Sequence, residues 1–186
     1  MKHYLFLLLI LLVSSTACDA PVKKEAEKPL PVDTKIAEDG ETFYEGKINR
    51  QNLLTSPLTS WFETGYEQYY LDPQWVEAHH GLLAGLRFKL FLGTWCEDSE
   101  REVPGMFKLL DAIGLDDSML EIYAMDKDKI TAANFEEGLN IINIPTLIFY
   151  KDGQEINRIV ELTVESLEKD ISKILTGQAY QNAYYE

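Results

Sequence analysis

At 186 residues the chain suffices for one ordinary domain and a short appendage, and 46% hydrophobic residues exclude a wholly disordered polymer. Seventeen Lys and Arg against 31 Asp and Glu give a formal charge of −14, which repels phosphate backbones and argues against nucleic acid as a partner. Two cysteines are present, Cys18 and Cys96.

Residues 1–17 read as an export signal peptide. Lys2 supplies a positive start, and residues 4–13 form an apolar run too short to span a bilayer but suited to a signal core. Ser15-Thr16-Ala17-Cys18 follows and resembles the bacterial lipobox, in which the Cys becomes acylated after cleavage. The expectation is a lipoprotein of the cell envelope, held to a membrane through Cys18 with its domain facing the periplasm or exterior. Secretion after cleavage near Ala17 is the alternative. Residues 18–42 read as the lipidated Cys and a disordered tether, rich in Lys, Glu and Ala and interrupted by Pro21, Pro29 and Pro31.

Residues 43–86 read as a helical extension. Ser56-Pro57 is a helix start, with Ser as cap and Pro at the first helical position, and Leu58, Trp61, Phe62, Tyr66, Tyr69 and Tyr70 fall on one face. Asp72-Pro73 repeats the signal ahead of Trp75, Val76, His79, Leu82, Leu83 and Leu86, which line a second helix. His79 and His80 are adjacent and diverge around a helix, so no metal site is expected there.

Residues 87–177 form the main domain. An apolar strand over 87–92 ends in Gly93-Thr94-Trp95-Cys96, and 97–113 reads as a helix that buries Val103, Met106, Phe107 and Leu110. A short strand over 120–125 precedes a helix predicted over 130–139. Segments 146–151 and 154–160 flank Asp152-Gly153, a hairpin turn, and a closing amphipathic helix runs to Leu175. The order β-α-β-α-β-β-α predicts an α/β fold with a central mixed sheet and helices on both faces. The Tyr-rich tail, 178–186, gives no reading of its own.

Trp95-Cys96-Glu97-Asp98-Ser99 stands at a strand-to-helix junction, Asn143-Ile144-Pro145-Thr146-Leu147 follows some fifty residues later, and Lys151-Asp152-Gly153 forms the hairpin. Over about residues 86–175 these three signals resemble the thioredoxin-like family, closest to bacterial envelope proteins with a Trp-Cys-x-Asp-Ser core and an extra helical segment before the domain. The resemblance implies a thioredoxin-like fold with Cys96 as nucleophile and a cis-Pro145 facing it. It also implies Trp95 as an apolar lip and an Ile144 backbone that pairs with an extended substrate. Ser99 stands where the family has its second cysteine, and Leu90 where it has a buried Asp.

The residues support the same chemistry. A Cys at the first turn of a helix meets unpaired backbone N–H groups and the positive end of the dipole, and both favour thiolate. Glu97, Asp98, Glu100 and Glu102 oppose this, Arg101 partly offsets them, and the balance is left open. With Cys18 acylated the mature chain has one thiol and forms no internal disulfide. Ser99 is then expected to join Cys96 in catalysis by hydrogen-bonding its thiolate, with a helix cap as the alternative. The expected activity is single-cysteine thiol–disulfide oxidoreductase or isomerase-like exchange without a cofactor. Its partners are protein or small-molecule thiols and disulfides, and an external thiol resolves each mixed disulfide. A non-catalytic interaction module with a degenerate redox motif is the alternative. The oligomeric state is left open.

Overall fold

The computed structural model describes residues 27–185. The export signal and Cys18 therefore lie outside the described residues. No helix among the described residues is long and apolar enough to cross a membrane.

Among the described residues six strands form one mixed sheet: β1 (Asp33–Ile36), β2 (Thr42–Ile48), β3 (Leu86–Leu92), β4 (Leu120–Ala124), β5 (Thr146–Lys151) and β6 (Gln154–Val160). Their order across the sheet is β1-β2-β4-β3-β5-β6, with β3 and β4 parallel and every other neighbouring pair antiparallel. The β5–β6 turn pairs Lys151 with Gln154, and Asp152 and Gly153 both adopt positive φ. That is the geometry Asp-Gly is suited to, because a two-residue hairpin loop needs left-handed backbone at both central positions.

Among the described residues five α-helices, α1 (Arg50–Thr55), α2 (Ser60–Gln68), α3 (Pro73–His79), α4 (Glu97–Ala112) and α5 (Leu167–Leu175), cover one face. Even-numbered residues of β3, Phe88, Leu90 and Leu92, point into this layer and meet Leu53, Phe62, Phe107 and Ile171. Phe62 and Phe107 pack edge to face at 5.1 Å. α2 lies close on α4 because Gly65 opposes Pro104; a Cβ at Gly65 would come within 2.8 Å of the Pro104 ring.

Three expectations are corrected. The segment expected as a disordered tether through residue 42 contains β1, and the extension expected to be helical from 43 opens with β2. Thr42-Phe43-Tyr44 is β-prone, and Phe43 and Ile48 bury their side chains on the sheet whose edge β2 extends. The helix expected over 130–139 does not form, so the second face carries turns in place of helices. Thr131 and Asn134 account for this. The Phe135 N–H donates to Thr131 Oγ1 at 2.9 Å, the Thr131 hydroxyl donates to Glu136, and Asn134 sits at φ 53°. Such side-chain bonds offer the backbone an alternative to a helix. The apolar residues still cover the sheet: Phe135 leans on Tyr123 with centroids 4.7 Å apart.

The Tyr-rich tail is docked. Tyr180 packs against the helix-side core, its carbonyl accepts from Asn157 Nδ2 at 3.1 Å, and its hydroxyl reaches Asp170 at 3.4 Å.

Candidate active site at the head of α4

β3 ends at Leu92, and a tight turn carries the chain into α4. The Cys96 N–H donates to the Gly93 carbonyl at 3.1 Å, and Cys96 itself occupies the N-cap position of α4. No side chain caps the helix there, so the first-turn N–H groups lie beside the sulfur without a capping oxygen.

The loop before β5 supplies the opposite wall. The Ile144–Pro145 peptide bond is cis, and the Cys96 thiol points at the Ile144 carbonyl with Sγ and O 3.7 Å apart. Cys96 is 8% exposed, and Ile144 and Pro145 are buried beside it. The β3–β5 ladder ends at the Phe91–Thr146 pair, which leaves the 144–145 backbone beyond the sheet. Trp95 forms the rim. Its Nε1 donates to the Met125 carbonyl at 2.9 Å, and its indole lies over Gly93. A Cβ at Gly93 would meet that indole at 2.9 Å and Ile144 Cδ1 at 3.0 Å, so only glycine lets all three groups converge. Cys96, Trp95, Ile144 and Pro145 are thus brought together.

Ser99 is placed differently from either expectation. Its hydroxyl accepts from the Gly93 N–H at 3.1 Å, it is fully buried, and it neither bonds Cys96 nor caps α4. A fixed oxygen one turn into the helix instead ties the strand exit to α4. Leu90 is fully packed in the helix-side core, so no carboxylate lies beneath the sulfur at that position.

Several residues that build the site carry no local sequence signal. Thr94 Oγ1 accepts from the Tyr44 N–H at 3.0 Å, joining the motif to a strand fifty residues earlier. Lys129 Nζ donates to Asn143 Oδ1 at 2.6 Å, Asn143 Nδ2 donates to Glu161 at 3.1 Å, and the Glu161 N–H donates to the Pro145 carbonyl at 2.7 Å. These bonds fix the loop that faces Cys96. Burial, followed by the negative charge of Asp98, pushes the Glu161 carboxyl above its ordinary range.

The turn between β1 and β2 also reaches the site. Lys127 binds both Asp39 (2.5 Å) and Glu41 (2.8 Å), and its ammonium sits 6.0 Å above the Trp95 ring. His79 lies elsewhere, stacked on Trp75 at 4.4 Å with its Nδ1 on the Trp75 carbonyl. Among the described residues no group of three or more His, Cys, Asp or Glu side chains is placed to hold a metal ion.

The thioredoxin of Staphylococcus haemolyticus is 33% identical over 79 residues, covering 41% of this chain and 69% of that protein. The thioredoxin of Mycobacterium tuberculosis is 33% identical over 70 residues, covering 38% and 56%. A thioredoxin-like protein of Acanthamoeba polyphaga mimivirus is 27% identical over 81 residues, covering 44% and 56%. The chain thus spans little more than half the length of the latter two. No family model matches. Among solved structures, the thioredoxin of Malassezia sympodialis aligns with a TM-score of 0.35 at 19% identity over 60% of this chain and 97% of that one. A protein of unknown function from Pseudomonas aeruginosa aligns with a TM-score of 0.44 at 14% identity over 71% and 81%.

Proposed function

This chain belongs to the thioredoxin-like family, and from that premise we propose that it carries out single-cysteine thiol–disulfide exchange at the cell envelope, anchored through an acylated Cys18. The Cys96 thiolate attacks one sulfur of a substrate disulfide. A new S–S bond joins Cys96 to that half, the old bond breaks, and the other half leaves as a thiolate. No second thiol exists in the mature chain to displace the bound half, so an external thiol, or a thiol of the substrate itself, attacks and regenerates Cys96. Repeated on a protein with several cysteines, this exchanges disulfides without net oxidation. Trp95 and the Ile144 backbone hold the attacked strand, Pro145 shapes the groove, and Ser99 positions the turn.

The observation that carries this reading is the Cys96 sulfur at the uncapped head of α4, 3.7 Å from a loop carbonyl that lies beyond the sheet ladder. The enclosure of Cys96 favours a second reading, a binding module whose thiol is a packing residue.

Purified full-length protein treated with hydroxyethyl disulfide separates the two. Exchange predicts a mixed disulfide at Cys96, detected by mass, that added thiol releases and that Cys96→Ser abolishes. A sulfur inert to disulfide and to iodoacetamide in the folded protein would establish the binding module instead. Membrane attachment is read separately: Cys18→Ser is expected to remove acyl labelling and release the protein from membranes.

A further inference from the structure

The groove at Cys96 is bordered by carboxylates contributed from three separate parts of the chain. Glu97 follows the cysteine directly, and Glu100 lies one turn further along α4. The β1–β2 turn brings Glu41 to the rim, 2.8 Å from the Lys127 ammonium that lies 6.0 Å over the Trp95 ring, and Glu97 and Glu41 both bear on the Glu100 carboxyl. On the far side, the end of β6 places Glu161 against the cis-proline loop, within reach of Asp98.

The nearby cations do not cancel this charge. Lys127 is bound to Asp39 and Glu41, and Arg101 is bound to Asp98 (2.6 Å) and Glu102 (2.8 Å), two carboxylates for each cation. Lys129 donates to Asn143 and the Ile142 carbonyl, and with Arg101 it offsets Glu161 only in part, since that carboxyl still stands above its ordinary range. Burial first, then mutual repulsion, raises the Glu100 carboxyl, as it does Glu161.

We propose that this rim selects the substrate: Cys96 reacts with disulfides flanked by cationic groups, as in Lys- or Arg-rich protein segments, in preference to anionic disulfides such as glutathione disulfide. The inference rests on the exchange reading above and adds to it the charge of what is exchanged. Its physical basis is steering. A cleft lined by one sign of charge concentrates ligands of the other sign and speeds their encounter, and salt abolishes the effect.

Three small disulfides test this on the full-length protein at neutral pH: cystamine, which carries two ammonium groups; hydroxyethyl disulfide, which is neutral; and dithiodiglycolate, which carries two carboxylates. Each rate of mixed-disulfide formation at Cys96 is divided by the rate of the same reagent with free 2-mercaptoethanol, which removes intrinsic differences between the reagents. The expected order is cystamine, then the neutral reagent, then dithiodiglycolate. The extremes should differ on the order of tenfold or more at low salt, converging near 1 M salt, where the Debye length is about 3 Å. Glu41→Gln combined with Glu100→Gln and Glu161→Gln should narrow the spread several-fold. Normalised rates that are equal at low salt, or a spread that the triple variant leaves intact, would overturn the charge selection while leaving exchange standing. Failure of all three reagents to react would remove the exchange reading and this inference together.

Discussion

The two faces of the sheet are covered by different means. On one, α1 to α5 bury an apolar layer in which Phe62, Phe107, Leu90 and Ile171 are nearly or fully inaccessible. On the other, residues 126–143 form a run of turns over Phe91, Tyr123 and Ile148. That run is held by polar bonds: the Ile130 N–H to Asp126, the Ala132 N–H to Glu45, Lys129 to Asn143, and Arg158 to the Leu139 carbonyl. Apolar burial is non-directional and proportional to area, so it fixes a scaffold. Hydrogen bonds are directional and fix positions. The candidate site lies on the seam, with Ser99 inside the helix layer and Cys96 in the cluster of the turn-covered face.

The largest effect is expected in the helix layer. Phe107 is nearly inaccessible, touches Phe62, and carries the Arg50 guanidinium 4.7 Å above its ring. Phe107→Ala should cost about 3–5 kcal/mol of stability, read by urea unfolding. The fraction that remains folded should keep its Cys96 exchange rate, because Phe107 packs in the helix-side core while Cys96 and Ile144 pack in the separate cluster of the other face. A folded variant with altered exchange would show that the two faces are not separable.

Gly93→Ala probes the seam. A Cβ there overlaps both the Trp95 indole and Ile144, so one must shift, and overpacking of this kind costs about 1–3 kcal/mol. The larger consequence should be functional: displacement of Trp95 or Ile144 alters the walls around the sulfur and changes the exchange rate at Cys96 several-fold. Unchanged exchange with a modest loss of stability would place the groove elsewhere than between these two residues.

What the sequence made legible follows the same division. β3, α4 and the Asp152-Gly153 hairpin could be read because their signals are local, an apolar run, a 3.6-residue spacing and a turn dipeptide. The 130–139 segment misled because its apolar spacing is helical, while Thr131 and Asn134 impose turns through their own side chains. β1 and β2 leave no periodic signal because β2 is held by pairing with β4, some 75 residues later, a partner that periodicity does not reveal. At the site, the approach of Cys96 to Ile144 was legible only through family resemblance, since 48 residues separate them. Lys127 holding Asp39 and Glu41 had no signal at all, and neither did the bond from Asn143 to Glu161. The motif marks Ser99, but the partner of its hydroxyl is the Gly93 amide and not the sulfur.

The smallest expected effect compares the two faces under alkali. Tyr66 lies on the helix side, where burial, then its hydrogen bond to Asp111 at 2.9 Å, pushes its hydroxyl up from 10.0 to about 12. Tyr123 lies on the other face, where burial, then the charge of Glu121, raises it to about 12 as well. Both groups hold their proton more tightly folded than unfolded. Their stabilising contribution is therefore complete below pH 10 and is lost as pH rises toward 12, where the unfolded chain ionises first. Tyr66→Phe and Tyr123→Phe should each flatten the fall of stability across that window by a similar amount, measured by urea unfolding at successive pH values. Tyr66→Phe leaves Asp111 held by two Arg50 bonds at 2.7 Å, so its neutral-pH cost should be small. If only Tyr66→Phe flattened the curve, the turn-covered face would be opening in alkali before the chain unfolds, and polar bonds would be a weaker hold than the helix layer in that window.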